Sequence, residues 1–483
     1  MGFRPRQASL LLLLIIPIVL SVIALSIGNI DSDDLSIRMN TEHLLSENSF
    51  RMTDSFFDGR PVMRLQGFEL LSMIIETIGS WTFTRIFMMI SFSLSVLLVY
   101  LISLKTTQSP AASWFAVLLA STSPIVLKNA LSYNELLFSI PIMLFITYLF
   151  VQKRMPLGLI IFSFALLTLL NFSSVYLLVI MILYYLIMNA TGTRAEKNSY
   201  EAFIISSFVF IGILTLYMVL FQDYNRIPVF YNNMPTGMLM ELYSPLSLVG
   251  RLLGPGLMVI FFAALGSYHI ISRANEKALL PFSMLIGGSL MSLFFADKMS
   301  IALFAMGAFI VAGHGISMML QWLSISKAAH FIRIIFIILA MVIAGSGITQ
   351  SIIAINDVKN NFASDDELRA YDYISNLQRE RIFTTMDMAT RTTYYTGKNV
   401  FINDDFRGIY DSNYYYNKYV QLLTSRSTVE ALMVLRDENI GILLFREDDI
   451  PFYLQEDVID YRCFTHAIFG DIHVYEIICE VRS

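Results

Sequence analysis

The chain has 483 residues, of which 56% are hydrophobic and only 15% charged. Soluble globular proteins carry charge on about a quarter of their residues, so this composition, with a mean hydropathy of +0.62, excludes an ordinary soluble protein and identifies an integral membrane protein. A net charge of −5, without a basic stripe beyond the residues that orient membrane segments, argues against a nucleic-acid partner.

Apolar segments recur near 9–28, 85–104, 111–128, 135–151, 156–172, 174–190, 201–221, 248–271, 279–296, 300–322 and 331–354. Each is long enough to cross about 30 Å of hydrocarbon as a helix with its backbone groups bonded internally, which predicts about eleven spans. The first segment also admits a signal-peptide reading, since Ala24-Leu25-Ser26 near its end resembles a small-residue cleavage site, although the apolar run is long for a signal-peptide core. Immediately beyond stands Asp31-Ser32-Asp33-Asp34. Three carboxylates at the water interface stay ionised without a burial penalty. They either solvate a helix end or act on a lipid-linked substrate, and spacing alone does not separate the two.

Residues 29–84 form a first outer loop too long to be a plain connector. Within it Phe68, Leu71, Ile74, Ile75 and Ile78 recur at helical spacing, predicting a helix along the membrane surface, and Asp58-Gly59-Arg60-Pro61 reads as a turn. Ser132-Tyr133-Asn134-Glu135 lies at the outer end of the third and fourth spans. Glu135 there opens a helix, whose positive end favours a carboxylate. A second long outer loop runs from Gln222 to about Ser247, and its Tyr224, Phe230, Tyr231 and Tyr243 read as interfacial anchors or as part of a lid over a lipid. Arg251, at the outer end of the eighth span, is either a snorkelling cation or a contact for a lipid phosphate.

Orientation follows from Lys and Arg. The inner segments carry Arg4, Arg6, Lys105, Lys153, Arg154, Arg194, Lys197, Arg273, Lys277, Lys327 and Arg333, whereas the short outer loops carry Lys128, Arg226 and Lys298. Positive loops are retained inside, so the N-terminus is expected in the cytoplasm and the C-terminal region outside the plasma membrane.

From Asn356 the sequence turns polar, dividing the chain into a multi-pass membrane domain, 1–355, and an extracytoplasmic soluble domain, 356–483. Ser364-Asp365-Asp366-Glu367 and Ser427-Thr428-Val429-Glu430 have the form of capping boxes, each opening a helix. Val400–Ile402 and Gly441–Phe445 read as strands, which makes this domain α/β. Both cysteines lie here. Cys463 and Cys479 flank the turn signal Gly470-Asp471 almost symmetrically, so a hairpin brings them opposite one another as a disulfide; two buried thiols are the alternative.

No HxxxH pair, CxxC, GxxxxGK[ST] loop or GxSxG elbow occurs in the sequence, which leaves carboxylate chemistry on the outer face. Asp31, Asp33 and Glu135, brought from separate loops, are suited to hold a divalent cation such as Mg or Mn through oxygen ligands. Such a cation pairs with phosphate or pyrophosphate.

On these residues the chain resembles the GT-C superfamily of membrane glycosyltransferases, which take sugars from polyprenyl-phosphate carriers. Asp31-Ser32-Asp33-Asp34 followed by Arg38 looks like the first acidic motif of oligosaccharyltransferase catalytic subunits. Ser132-Tyr133-Asn134-Glu135 is similar to their second, Ser-Tyr-Asp-Asn-Glu, with one acidic residue missing. Asp58-Gly59-Arg60-Pro61 and the stretch from Ile78-Gly79 to Arg85 look like the corresponding loop of the protein mannosyltransferase and aminoarabinose transferase branch. The resemblance implies a membrane all-α GT-C-like fold with a soluble α/β domain. It also implies inverting transfer from a polyprenyl-phosphate-linked sugar to a protein, lipid or polysaccharide acceptor, with Asp31 or Asp33 as base. Asp34, Arg38, Arg60 and Arg251 are then expected to bind donor or acceptor. Oligosaccharyltransferases carry Trp-Trp-Asp-Tyr-Gly in the soluble domain, but here Trp81, Trp114 and Trp322 are the only tryptophans. Single-sugar transfer therefore fits better than en bloc transfer to asparagine. The rival classes are a lipid-linked saccharide transporter, which should place ionisable groups within its spans as only His314 clearly does, and a non-catalytic assembly protein.

Overall fold

The computed structural model describes residues 32–47, 56–57, 67–79, 81–126, 134–152, 156–171, 174–193, 197–220, 234–235, 238, 244, 255–273, 275–295, 298–327, 329–360, 363–406, 409 and 411–479. They form two compact units, one from those within 65–221 and 242–359, the other from those within 29–64, 222–241 and 360–483.

In chain order the elements begin with α1 (Ser32–Glu47), which belongs to the second unit. The first unit is helical throughout: α2 (Gly67–Ile78), α3 (Trp81–Thr107), α4 (Pro110–Ser121), α5 (Leu136–Val151), α6 (Leu157–Leu170), α7 (Ser174–Ala190), α8 (Lys197–Leu220), α9 (Leu257–Arg273), α10 (Glu276–Phe295), α11 (Lys298–Ile325) and α12 (Ile332–Asn360). Each apolar segment expected from residue 85 onward overlaps one of α3 to α12, those at 111–128 and 248–271 only in part; residues 127–128 and 248–254, and the segment at 9–28, lie outside the described residues. Among the described residues five helices are long and apolar enough to cross a membrane, at Ile86–Thr107, Asn198–Val219, Glu276–Phe294, Lys298–Ile325 and Ala329–Ser346. The apolar helices α4, α5, α6, α7 and α9 are shorter, at 12 to 17 residues.

The surroundings of each helix follow from its side chains. Helix α11 is apolar on all sides and is buried from Met299 to Met318 apart from the half-buried Ile301, against α9, α10, α4 and α3. Its approach to α9 depends on Gly266 and Gly315: a Cβ on Gly266 would run into the Val311 carbonyl, and one on Gly315 into the Phe262 carbonyl. By contrast α12 is almost unpacked. Phe336 holds it, stacked 5.7 Å from Trp114 and edge-on 4.7 Å from Phe115, while Ile334, Ile337, Ile338 and Met341 are exposed as a hydrocarbon-facing surface. The helix expected around 68–78 is present as α2. Its apolar stripe is divided, with Phe68 and Ile75 buried and Ile74 and Ile78 exposed.

Three hydrogen bonds define the two ends of this unit. Asn275 Nδ2 donates to Thr106 O at 3.1 Å, joining the end of α3 to the α9–α10 turn. Ser123 Oγ donates to Pro255 O at 3.3 Å, joining the end of α4 to the approach of α9. Ser91 Oγ donates to Leu137 O, placing the start of α5 beside the first half of α3. At 1.5 Å per residue Ser91 and Thr106 are about 22 Å apart along α3, so Glu135 lies toward the end opposite the α9–α10 turn.

The second unit adds α13 (Asp365–Ser375), β1 (Arg381–Thr384), α14 (Met386–Thr396), β2 (Asn399–Val400), α15 (Ser412–Thr424), α16 (Thr428–Asp437), β3 (Ile442–Arg446), β4 (Phe464–Phe469) and β5 (Ile472–Ile477). The sheet order is β2-β1-β3-β5-β4, parallel across the first three strands and antiparallel thereafter. Central β3 is buried at Ile442–Phe445, which explains its continuous apolar run. The segment expected as a strand at 400–402 is shorter, although Phe401 N still donates to Ile382 O at 2.9 Å. Ser364 and Glu367 form a full capping box. At α16 only half of one forms: Ser427 Oγ accepts from Glu430 N, while the Glu430 carboxylate accepts from Gln421 Nε2 at 3.0 Å. Gly470, at φ +64°, makes the β4–β5 turn, and Cys463 and Cys479 are joined as a disulfide with their Cα atoms 4.4 Å apart.

Candidate functional site

The acidic motif runs into a helix that the apolar periodicity did not reveal. Helix α1 buries Leu35, Ile37, Asn40, Thr41 and Leu44, so two positions of its inward face are polar and the hydrophobic repeat is interrupted. Asp33 and Asp34 fall in its first turn, where the unpaired backbone N–H groups of a helix favour negative charge. Asp31, just before the helix, lies outside the described residues, as do Arg60 and Arg251.

Arg38, one turn further along α1, is half-buried, and its Nε donates to Glu42 Oε1 at 2.8 Å. The same oxygen accepts from the Tyr394 hydroxyl at 3.2 Å, and the Arg38 guanidinium lies 5.8 Å from the Tyr394 ring centroid. Burial, with Arg38 opposing it and Glu42 adding to it, pushes the Tyr394 hydroxyl up to about 12, so it remains a donor at any physiological pH. Tyr394 leads inward. Its ring meets Tyr395 edge-on at 4.9 Å, and Tyr395 stacks on Tyr371 at 5.5 Å.

Behind these rings sits a charged cluster. Glu367 meets Arg391 at 3.4 Å and Arg446 at 2.9 Å, and Asp387 meets Arg446 at 3.1 Å. The Glu367 and Arg391 side chains are 2% and 3% exposed. Hydrogen bonding and attraction from Glu367 and Asp387 outweigh burial and hold the Arg446 guanidinium above its ordinary value. The cluster is thus a fixed, charge-balanced support. Part of the 29–84 segment enters the same unit: Phe56 bridges Val400, and Phe57 packs at 5.4 Å from Phe406 and 5.2 Å from Tyr415. Phe57 adopts φ +49°, a left-handed conformation that is costly for a bulky side chain and is maintained by these ring contacts. It directly precedes the Asp58–Pro61 segment.

Glu135 belongs to the first unit. It occupies the N-cap of α5 and is partly exposed, while the cap hydrogen bond itself goes from Leu136 N to Asn134 Oδ1 at 3.0 Å. Chemically the predicted set is uniform: Asp31, Asp33 and Glu135 offer only oxygen donors, which suit a hard divalent cation. Among the described residues no group of three or more His, Cys, Asp or Glu side chains converges. One carboxylate escaped the sequence reading. Glu69, on α2, is 1% exposed; the apolar residues around it carried the helical signal, and its own inward position is visible only from its spacing with Phe68, Ser72 and Ile75.

No protein-family model matches the sequence. No curated protein matches it either. Among solved structures, the chain is similar to the oligosaccharyltransferase AglB of Archaeoglobus fulgidus in complex with an inhibitory peptide and a dolichol-phosphate, at TM-score 0.65 and 10% identity over 90% of this chain and 69% of that one. An A. fulgidus oligosaccharyltransferase in complex with Zn and sulfate matches at TM-score 0.60 and 10% identity, over 90% of this chain and 68% of that one. ArnT of Cupriavidus metallidurans bound to undecaprenyl phosphate matches at TM-score 0.58 and 11% identity, over 98% of this chain and 99% of that one. The arabinofuranosyltransferase AftD from Mycobacteria matches at TM-score 0.58 and 12% identity, over 100% of this chain and 40% of that one. The chain therefore has the fold of the GT-C superfamily of membrane glycosyltransferases.

Proposed function

We propose that this protein is an inverting glycosyltransferase that moves a single sugar from a polyprenyl-phosphate-linked donor to an acceptor at the extracytoplasmic face of the plasma membrane. The observation that carries this reading is the end-to-end likeness to ArnT, which spans nearly the whole of both chains and was captured with undecaprenyl phosphate. AglB, solved with dolichol-phosphate, supports a donor of the same chemical class.

In the proposed mechanism Asp31 or Asp33 accepts the proton of the acceptor nucleophile as it attacks the anomeric carbon, and the polyprenyl phosphate departs. Helix α1, into which that pair runs in the chain, is held to α14 within the second unit by the Glu42–Tyr394 hydrogen bond. Asp34, Arg38, Arg60 and Arg251 are assigned to donor and acceptor binding. A divalent cation held by Asp31, Asp33 and Glu135 would supply positive charge beside the leaving phosphate. Charge bias places the N-terminus and Lys153-Arg154 in the cytoplasm and residues 356–483 outside.

The test is consumption of polyprenyl-phosphate-linked sugars by the purified, folded protein, followed by release of polyprenyl phosphate, together with a comparison of surface glycans in cells with and without it. Release of the carrier with transfer to an acceptor supports the proposal. Failure to consume any such donor, with the lipid-linked saccharide instead crossing the bilayer, would replace it with the transporter reading.

A further inference from the structure

A second polar site lies at the far end of the first unit, where the α3–α4 turn, the α9–α10 turn and the α11–α12 junction meet. They enclose a cavity of about 1380 Å³. Among the described residues its charged lining is Arg273, Lys277 and Arg333 against one carboxylate, Glu276. Arg273 reaches Gln321 Oε1 at 3.3 Å, which holds its guanidinium at the rim. The inner wall carries His314, 2% exposed, whose Nε2 is buried without a hydrogen-bond partner, and His269, whose ring centroid is 6.4 Å away. A buried nitrogen left unpaired is costly. Here it lines a cavity in which the cations outnumber the carboxylate.

We propose that this cavity binds the anionic phosphate headgroup of a membrane lipid, with Arg273, Lys277 and Arg333 contacting the phosphate and His314 Nε2 bonding deeper in the headgroup. Size selects a lipid over free phosphate, because the volume exceeds that of most small-ligand pockets, about 300–1,000 Å³, and inorganic phosphate would fill little of it. The lining selects it too. Leu320, Ile332, Phe336 and Ile337 form one side of the cavity, and Ile337 continues into the exposed apolar surface of α12, along which acyl chains can lie. Finally, this is the Lys- and Arg-rich end of the bundle, and basic residues of this kind face the leaflet in which anionic lipids are concentrated. The site is separate from Glu135: Thr106 lines it, whereas Ser91, about 22 Å back along α3, marks the Glu135 end. We therefore assign it to lipid attachment or regulation and not to the cation site proposed at Glu135.

The experiment is native mass spectrometry of the full chain in detergent, offered dioleoyl phosphatidylglycerol, dioleoyl phosphatidylcholine or inorganic phosphate. Wild-type protein should retain phosphatidylglycerol in preference to phosphatidylcholine. The Arg273→Gln/Arg333→Gln variant, altered only at exposed positions, should lose about tenfold or more of that retention, since charge-assisted hydrogen bonds are the strong ones. His314→Phe should weaken retention while leaving the helical circular dichroism intact. Lys327→Gln, a charge change at the same end that does not line the cavity, should leave binding unchanged. Equal retention of the two lipids, or undiminished phosphatidylglycerol binding by the double variant, would overturn the proposal. Stabilisation by inorganic phosphate with none by phosphatidylglycerol would also overturn it, by assigning the cavity to a soluble phosphate compound.

Discussion

The Tyr394 hydroxyl donates to Glu42 Oε1 at 3.2 Å across 352 residues of sequence, fastening the helix into which the acidic motif runs to α14 of the same α/β unit. Position within a catalytic constellation matters on the scale of an ångström, so this bond ties the proposed chemistry to a residue with no chemistry of its own. Tyr394→Phe keeps the ring beside Arg38 and removes only the hydroxyl. It should cost about 0.5–1.5 kcal/mol of stability and lower kcat for sugar transfer more than it changes donor KM. Steady-state kinetics and thermal melting of purified protein would measure both, and wild-type values in each would show that the contact is incidental.

The Glu367–Arg391 pair is nearly inaccessible to water, so breaking it should be far more damaging. Glu367→Gln retains a side chain able to complete the Ser364 capping box, yet removes the nearer of the two carboxylates that pair with the buried Arg391 guanidinium, the other being Asp387 at 3.9 Å. Removing one partner of a buried ion pair typically costs about 3–5 kcal/mol, whereas replacing both with apolar groups is often neutral. Glu367→Gln should therefore lower the melting temperature sharply, and Glu367→Gln combined with Arg391→Met should recover most of the loss. A single variant as stable as wild type would mean that solvent reaches the pair.

His466 Nε2 and His473 Nδ1 lie 3.0 Å apart across the β4–β5 hairpin, with the His466 ring stacked 4.3 Å from Tyr475. Burial and then the neighbouring His473 hold the His466 imidazole below its ordinary value, with Glu456 opposing them. The unfolded chain consequently takes up this proton at a higher pH than the folded one. Stability from this group is complete above about pH 6.5 and is lost as pH falls through the lower folded-state value. Melting temperatures between pH 7.5 and 5 should decline, and His466→Gln should flatten that decline. An unchanged slope in the variant would assign the acid sensitivity elsewhere.

The disulfide offers a separate check on the second unit. Cys463 and Cys479 are 16 residues apart in sequence, and closing a loop of that length stabilises by about 3 kcal/mol in the chain-entropy model. Cys463→Ser/Cys479→Ser should destabilise this unit by about that amount, read from the shift of its denaturant midpoint. Mass spectrometry of unreduced peptides should find the pair linked, and two freely alkylatable thiols would contradict it.

Much of this was legible in the residues because the relevant forces are local. Apolar length located the helices from Trp81 to Asn360, the capping residues Ser364 and Ser427 located two helix starts, and Gly470 between two cysteines located the hairpin. What escaped depended on partners distant in sequence. Helix α1 has polar inward residues, Asn40 and Thr41, because its neighbours come from residues some 350 positions away. Strand β1 has four residues and gains its identity only from pairing with β2 and β3. Arg38 was legible as part of a motif, but its engagement with Glu42 and Tyr394 was not. The basic cavity was hidden for a different reason: its Arg and Lys residues had already been explained as topogenic charges.

The catalytic proposal predicts an ordered series of losses. Asp31→Asn and Asp33→Asn each preserve size and remove a proton acceptor, and loss of a general base commonly costs about 10²- to 10⁴-fold in rate. The larger effect should identify the base, and the other aspartate should behave as a ligand. Glu135→Gln should be milder if it only helps to hold a cation, with part of its loss recovered at higher Mg or Mn concentration. Because Asp33 and Asp34 lie in the first turn of α1 and Glu135 at the partly exposed start of α5, the substitutions should leave melting temperatures close to wild type. The readout is sugar transfer from a polyprenyl-phosphate donor by purified wild-type and variant proteins. Unchanged transfer in all three variants would eliminate the proposed site while leaving the fold assignment intact. A loss accompanied by unfolding would instead show that these carboxylates support the structure.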